Sequence, residues 1–149
     1  MSEKKLIYLD NNATTRVAQE VLEAMLPCLT EHWGNPSSAY SLAAEPARLI
    51  EEARERVARL IGANSRNIVF TSCGTESNNA ALQGATLANP AKRHVVTTAV
   101  EHSANIKFCR QLEKRGYEVT HLPVDLDGAI DLCDLQAAIR PDTAIVSIM

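Results

Sequence analysis

An α/β fold with a mostly parallel sheet flanked by helices is predicted by three observations. Short apolar runs alternate with stretches of helical period, the segments between them carry Gly, Pro, Asn and Asp, and no repeat or low-complexity segment interrupts the alternation. At 149 residues the chain fits one domain, able to bury roughly 68–70% of its unfolded surface.

Taken in order, Leu6–Leu9 is a short apolar run ending in Asp10-Asn11-Asn12, after which Val17, Val21, Leu22, Met25, Leu26 and Leu29 recur at helical spacing. That first helix should stop near Thr30. Trp33-Gly34-Asn35-Pro36-Ser37-Ser38 is turn chemistry, because Pro36 pushes Asn35 out of the helical region and Gly34 is conformationally free. A second amphipathic helix runs from Pro46 to Ile61, with Ile50, Ala53, Val57, Leu60 and Ile61 on its apolar face and Gly62 as its C-terminal cap. A strand follows at Ile68–Phe70, then a small-residue turn and a helix over Ala80–Leu87. Strands at His94–Thr97, Val119–Val124 and Ala144–Ile148 alternate with helices at about Asn105–Arg115 and Leu132–Ile139, and Asp125-Leu126-Asp127-Gly128 reads as a turn. The last strand looks buried and reaches the final residue, which leads us to expect further polypeptide after it.

Composition excludes several classes of function. A net charge of -3 with 15 dispersed Lys and Arg leaves no basic footprint for nucleic acid or an anionic membrane. No apolar stretch approaches the ~18 residues of a membrane span, and Met1–Lys5 lacks a signal-peptide core, so a cytoplasmic location is expected. Cys28, Cys73, Cys109 and Cys133 are scattered without metal-ligand spacing. They read as free thiols, with Cys28, Cys109 and Cys133 buried on or beside helices and Cys73 a small packing residue.

Two segments carry chemistry. Thr71-Ser72-Cys73-Gly74-Thr75-Glu76-Ser77-Asn78-Asn79 lies between an apolar run and a helix, so it offers backbone N–H groups and hydroxyls at the positive end of a helix dipole. A phosphorylated small molecule suits that end. Glu101-His102-Ser103-Ala104 follows the next apolar run and puts an imidazole at the matching edge of the same sheet. Taken alone, Gly74-Thr75 also serves as an ordinary cap completed by Glu76 and Ser77, His102 as a hydrogen-bonded surface residue, and Glu101 as a solvated charge. His32, His94 and His121 read as structural.

Tyr8-Leu9-Asp10-Asn11-Asn12-Ala13-Thr14-Thr15, Gly34-Asn35-Pro36-Ser37-Ser38, Thr71–Asn79 and Glu101-His102-Ser103-Ala104 together resemble the NifS-like cysteine desulfurases, in the class V branch of the fold-type I pyridoxal-phosphate enzymes. The similarity runs from about Ile7 to the end. It implies that residues 1–16 form an N-terminal arm and that residues 17–149 form the first part of the large cofactor-binding domain. It implies that Gly74 and Thr75 hold the phosphate of pyridoxal 5′-phosphate, that His102 stacks on its ring and moves protons, and that Asn11, Asn12, Ala13 and Thr14 lie near the substrate. No metal is implied. Tyr40 departs from the histidine that the family often carries after Gly-Asn-Pro-Ser-Ser-x.

The activity implied for the complete protein is removal of sulfur from L-cysteine, giving L-alanine and an enzyme persulfide for an iron–sulfur scaffold or another acceptor. A homodimer is implied as well. Selenocysteine lyase and class V aminotransferase are sibling activities on the same fold, and a short non-catalytic partner-binding chain is a third reading. None of Lys4, Lys5, Lys92, Lys107 and Lys114 lies in the Ser-x-His context of the family's cofactor-anchoring lysine, and the family's catalytic cysteine has no counterpart in this sequence. The 149 residues by themselves are therefore expected to release no sulfide from cysteine and to develop no lysine-bound cofactor absorbance. Visible spectroscopy on the purified chain checks this, and a stoichiometric band lost on mutating Thr75 and His102 would contradict it.

Overall fold

A computed structural model describes residues 7–149. Residues 1–6, with the start of the arm and of the first apolar run, lie outside it. The chain divides between Val69 and Phe70 into two compact units.

The first unit is helical. Helix α1 (Gln19–Thr30) and helix α2 (Ala44–Leu60) are joined through a turn at residues 34–38 and a 3-10 turn at Ser41–Ala43, and a second 3-10 turn at Ser65–Asn67 follows α2. Gly62 ends α2 with a φ of +66°, the left-handed conformation expected of its cap. Gly34 is required for a different reason from the one the sequence suggests. It is buried, and a Cβ there would collide with the Leu42 carbonyl, so close approach rather than conformational freedom demands glycine.

The helical periods are as predicted, but the burial is not. Helix α1 buries none of its residues, leaving Val21, Leu22, Met25 and Leu26 about half exposed, and α2 buries only Pro46 and Ala58. Ile50, Val57, Leu60 and Ile61, expected on a core face, remain accessible. A helical stripe identifies a face that is able to bury, and another element must still cover it. Ion pairs from Arg48 to Glu45 and Glu52 hold the polar side of α2.

The second unit carries the sheet and the core. Helix α3 (Gly74–Ala88) precedes strand β1 (His94–Thr98), helix α4 (Ser103–Lys114), strand β2 (Glu118–Leu122), helix α5 (Leu132–Ala138) and strand β3 (Thr143–Val146). The three strands are parallel in the order β2-β1-β3, so both neighbours of β1 are reached through a helix. All five residues of β1 are buried, as expected of a central parallel strand. Val95 points to the face covered by α3 and α4, where it packs with Leu82 and Leu112, and Phe108, Tyr117, Val119 and Ile145 close around them. Each fully buried aliphatic side chain there contributes about 1.5–3 kcal/mol.

Ile68–Phe70, predicted as a strand, joins no ladder. Ile68 is extended but ends the second 3-10 turn, and three apolar residues are too few to distinguish strand from connector. Helix α3 starts six residues earlier than the predicted Ala80, because Gly74-Thr75-Glu76-Ser77 form its first turn. Small polar residues discourage a helical reading in isolation yet are favoured at a helix start.

On the other face of β1, the His94 ring spans all three strands. Its Nδ1 lies 2.8 Å from Thr143 Oγ1 and its Nε2 lies 2.8 Å from Thr120 Oγ1. It is structural, as expected. Burial first, and then the Arg140 charge, pushes its pKa below the ordinary 6.5. Arg140 is itself bound to Glu118 and Asp142, whose carboxyls it holds below their ordinary range. The unfolded chain therefore takes up the His94 proton first as pH falls, so stability is full above about 6.5 and declines by up to about 1.4 kcal/mol per pH unit below it. Denaturant titrations between pH 7.5 and 5 should show this slope, and His94→Asn, which keeps a hydrogen-bonding side chain but takes no proton, should flatten it. An unchanged slope would exclude His94 as its origin.

Candidate active site

Two helix N-termini meet at one edge of the sheet. Tyr117, just before β2, reaches the Thr86 carbonyl near the end of α3 at 3.5 Å, so α3 finishes at the edge where the strands begin. Its start therefore lies at the edge where they end, which is also where β1 passes into α4. Thr75 of α3 and Ala104 of α4 line the same open groove of about 720 Å³, together with Asn79 and the basic side chains of Lys107, Arg110 and Lys114.

The turn before α3 is laced by its own hydroxyls. Thr71 Oγ1 and Ser77 Oγ are 2.6 Å apart, so one donates to the other, and the second is free to donate to the Cys73 carbonyl, which lies within 3.3 Å of both. The Glu76 carboxylate accepts the Ser72 N–H and hydroxyl, each at 2.7 Å, and those two bonds hold its pKa low. This is the capping role that Glu76 and Ser77 were able to fill. The first helical bond runs from the Ser77 N–H to the Cys73 carbonyl, which leaves the amides of Gly74, Thr75 and Glu76 directed out of the helix end. Cys73, the residue at the cap, makes no side-chain cap bond to them.

Cys73 corrects the sequence reading. It is exposed, and so are Cys28 and Cys133; only Cys109 is buried. Although the thiol makes no cap bond to them, the Glu76 N–H, then the Ser72 hydroxyl, and after these the Thr75 N–H are close enough to favour its thiolate and lower the Cys73 pKa, whereas burial raises that of Cys109. The same amides that favour a thiolate favour any anion.

His102 caps α4. Its Nδ1 accepts the Ala104 N–H at 3.2 Å, so the neutral ring carries its proton on Nε2, and the imidazole is exposed. The hydrogen-bonded reading and the functional one are thus compatible, since one nitrogen anchors the ring and the other is left for chemistry. Asn11, Asn12, Ala13 and Thr14 belong to the first unit, all exposed, in a turn closed by the Ala13 N–H on the Asp10 carbonyl at 3.2 Å.

Sequence reasoning missed Glu101 and Asn105. Glu101 is buried at 6% exposure, not a solvated charge, and accepts from Asn105 Nδ2 at 2.8 Å. Their spacing of four residues across a helix start was the available signal. Among the described residues no group of His, Cys, Asp and Glu is placed to hold a metal ion, and no helix is long and apolar enough to cross a membrane.

The Aminotransferase class-V family description matches residues 7–149. The chain belongs to the class-V aminotransferase family. It is 57% identical over 144 residues to "Cysteine desulfurase 2" of Trichormus variabilis, covering 97% of this chain and 36% of that protein. A solved structure of a NifS-like protein superposes with a TM-score of 0.90 at 41% identity, covering 96% of this chain and 40% of the other. SspA in complex with cysteine does so at 0.88 and 37% identity, covering 95% and 41%. This chain thus spans between about a third and two fifths of the length of such relatives.

The family depends on pyridoxal phosphate, and these residues fit that group. Outward amides end α3, and the space that a Cβ at Gly74 would take is open, so a phosphate is able to approach the backbone. Cys73 supplies a reporter. At pH 7, iodoacetamide should modify Cys73 well before Cys109, and inorganic phosphate or pyridoxal phosphate should slow the Cys73 reaction by occupying the same amides. Peptide mapping checks both expectations, and equal rates with and without phosphate would place the anion elsewhere.

Proposed function

We propose that this class-V aminotransferase chain forms part of the site of a cysteine desulfurase, which takes sulfur from L-cysteine and passes it to an iron–sulfur scaffold or another acceptor. The observation that carries the reading is the pair of helix N-termini at one sheet edge, one ending in Gly74-Thr75 and the other in His102. The similarity to proteins named cysteine desulfurase supports it. The substrate's carbon–sulfur bond breaks, an enzyme thiol takes the sulfur as a persulfide, and a proton replaces it on the carbon, leaving L-alanine.

On this reading the amides of Gly74 and Thr75, with the Thr75 hydroxyl, bind the cofactor phosphate. The α3 dipole adds to their attraction. His102 would stack on the cofactor ring, held by its Nδ1 bond to the α4 amide, and its Nε2 would be the nitrogen able to exchange protons with the substrate. The cofactor, when bound, supplies an electron sink that lets the α proton of an amino acid leave. Asn11, Asn12, Ala13 and Thr14, on the arm formed by residues 1–16, would lie near the substrate, and residues 17–149 would begin the cofactor domain. The anchoring lysine and the sulfur-accepting cysteine are not among these residues, so the chain by itself is inactive.

The test uses the cofactor-loaded holoenzyme. L-cysteine with a reductant should yield alanine and sulfide in equal amounts, and failure to bind pyridoxal phosphate or to release sulfide would overturn the reading. Faster turnover of selenocysteine, or of amino-donor pairs, would move it to a selenocysteine lyase or an aminotransferase. Thr75→Val should weaken pyridoxal-phosphate binding roughly 10- to 100-fold, the worth of one hydrogen bond to a charged group, and leave binding of pyridoxal without phosphate unchanged.

A further inference from the structure

We propose that Glu101 is the positioning residue for His102, setting the imidazole at the sheet edge through a buried carboxylate that ties three elements together. The inference gains its catalytic meaning from the cysteine desulfurase reading, but its geometry is independent of it.

A carboxylate at 6% exposure is costly to desolvate unless its oxygens are fully bonded. Both oxygens of Glu101 have donors, three in all. Its Oε1 accepts the Thr98 hydroxyl at 3.2 Å, from the end of β1, and the Met149 N–H at 2.8 Å, from the segment after β3. Its Oε2 accepts Asn105 Nδ2 at 2.8 Å, from the first turn of α4. Asn105 Nδ2 is also 3.5 Å from Ser147 Oγ, and the Ser147 N–H is bonded to the Val96 carbonyl at 2.9 Å, so the post-β3 segment is fastened both to α4 and to β1. All three donors to Glu101 are neutral, and each comes from a separate stretch of chain.

His102 is the next residue. Its carbonyl accepts the Asn105 and Ile106 N–H groups at 3.0 and 3.2 Å, while its exposed ring is held by its cap, the 3.2 Å bond from the Ala104 N–H to Nδ1. That bond forms only while the backbone from β1 into α4 keeps its path, and the Glu101 carboxylate grips that path on both sides of His102, at Thr98 and at Asn105. A surface charge beside an exposed histidine would exert no such control. The buried carboxylate thereby selects the His102 tautomer, with Nδ1 as acceptor and Nε2 bearing the proton.

The experiment follows the cap itself. In the cofactor-free, full-length protein, Glu101→Leu removes both acceptor oxygens and leaves the donors of Thr98, Asn105 and Met149 without them. The Ala104 amide should then exchange with solvent at least tenfold faster, and the His102 ring nitrogens should lose their single-tautomer ¹⁵N shifts. Glu101→Gln is the conservative variant, because the Asn105 amide is able to turn its unpartnered Oδ1 toward the new NH₂ group, and E101Q should keep both signals close to wild type. Thr143→Ala, which removes a His94 partner elsewhere in the same unit, should lower Tm with both signals unchanged. Wild-type protection and tautomer in E101L, or a fall in Tm with neither signal altered, would overturn the proposal. So would loss of both signals in a folded E101Q to the same extent as in E101L. Because these signals need neither cofactor nor turnover, a protein that fails as a desulfurase still decides the question, and one that succeeds does not prejudge it.

Discussion

Burial of β1 along its whole length is the constraint on which the second unit depends. A strand with parallel neighbours on both sides has no hairpin connection available, so the chain must leave and return through helices. Helix α3 arrives before β1 and α4 departs after it, on the face where Leu82, Val95 and Leu112 form the core. Both helices run opposite to the strand. Their N-termini therefore fall together at the edge where β1 ends, and a paired positive end is a geometric consequence of one apolar strand finding cover.

The two ends of β1 are used differently. At its start, His94 is enclosed by two threonine hydroxyls, with Arg140, Glu118 and Asp142 close by, and burial keeps it neutral. At its far end, Glu101 is just as enclosed but by N–H and O–H donors, while the neighbouring His102 is exposed on its cap. Two histidines eight positions apart thus have opposite characters, one a buried rivet and the other an exposed helix cap. The sequence around them does not announce the difference, because both follow or begin short apolar runs.

The groove between α3 and α4 has Thr75, from the first turn of α3, at one end and a wall bearing Lys107, Arg110 and Lys114 together with Glu113. The α3 dipole and the net positive charge of that wall act in the same direction, toward an anion. Glu113 offsets part of that charge, and the Glu76 carboxylate is taken up by Ser72 on the capping turn. In the first unit the balance is different: α1 and α2 have clear apolar stripes and few buried residues, so its helices hold their period without a core of comparable density.

Much of the fold was legible in the sequence because period and punctuation are local. The helices α1, α2, α4 and α5 and the three parallel strands follow from apolar spacing and from glycines such as Gly62, and the motif around Gly74 and Thr75 marks a helix start whatever surrounds it. The class-V family was legible too, since its motifs are contiguous. Tertiary structure alone decided which faces are covered, why Gly34 must be glycine, that Ile68–Phe70 joins no sheet, that Cys73 is exposed, and that Glu101 is a buried clamp rather than a solvated charge. The reason is common to all of these. Propensity and period are properties of neighbouring residues, whereas burial and hydrogen-bond satisfaction depend on which distant donors, carbonyls and side chains the folded chain brings within reach, as Met149 is brought to Glu101 across 48 positions of sequence.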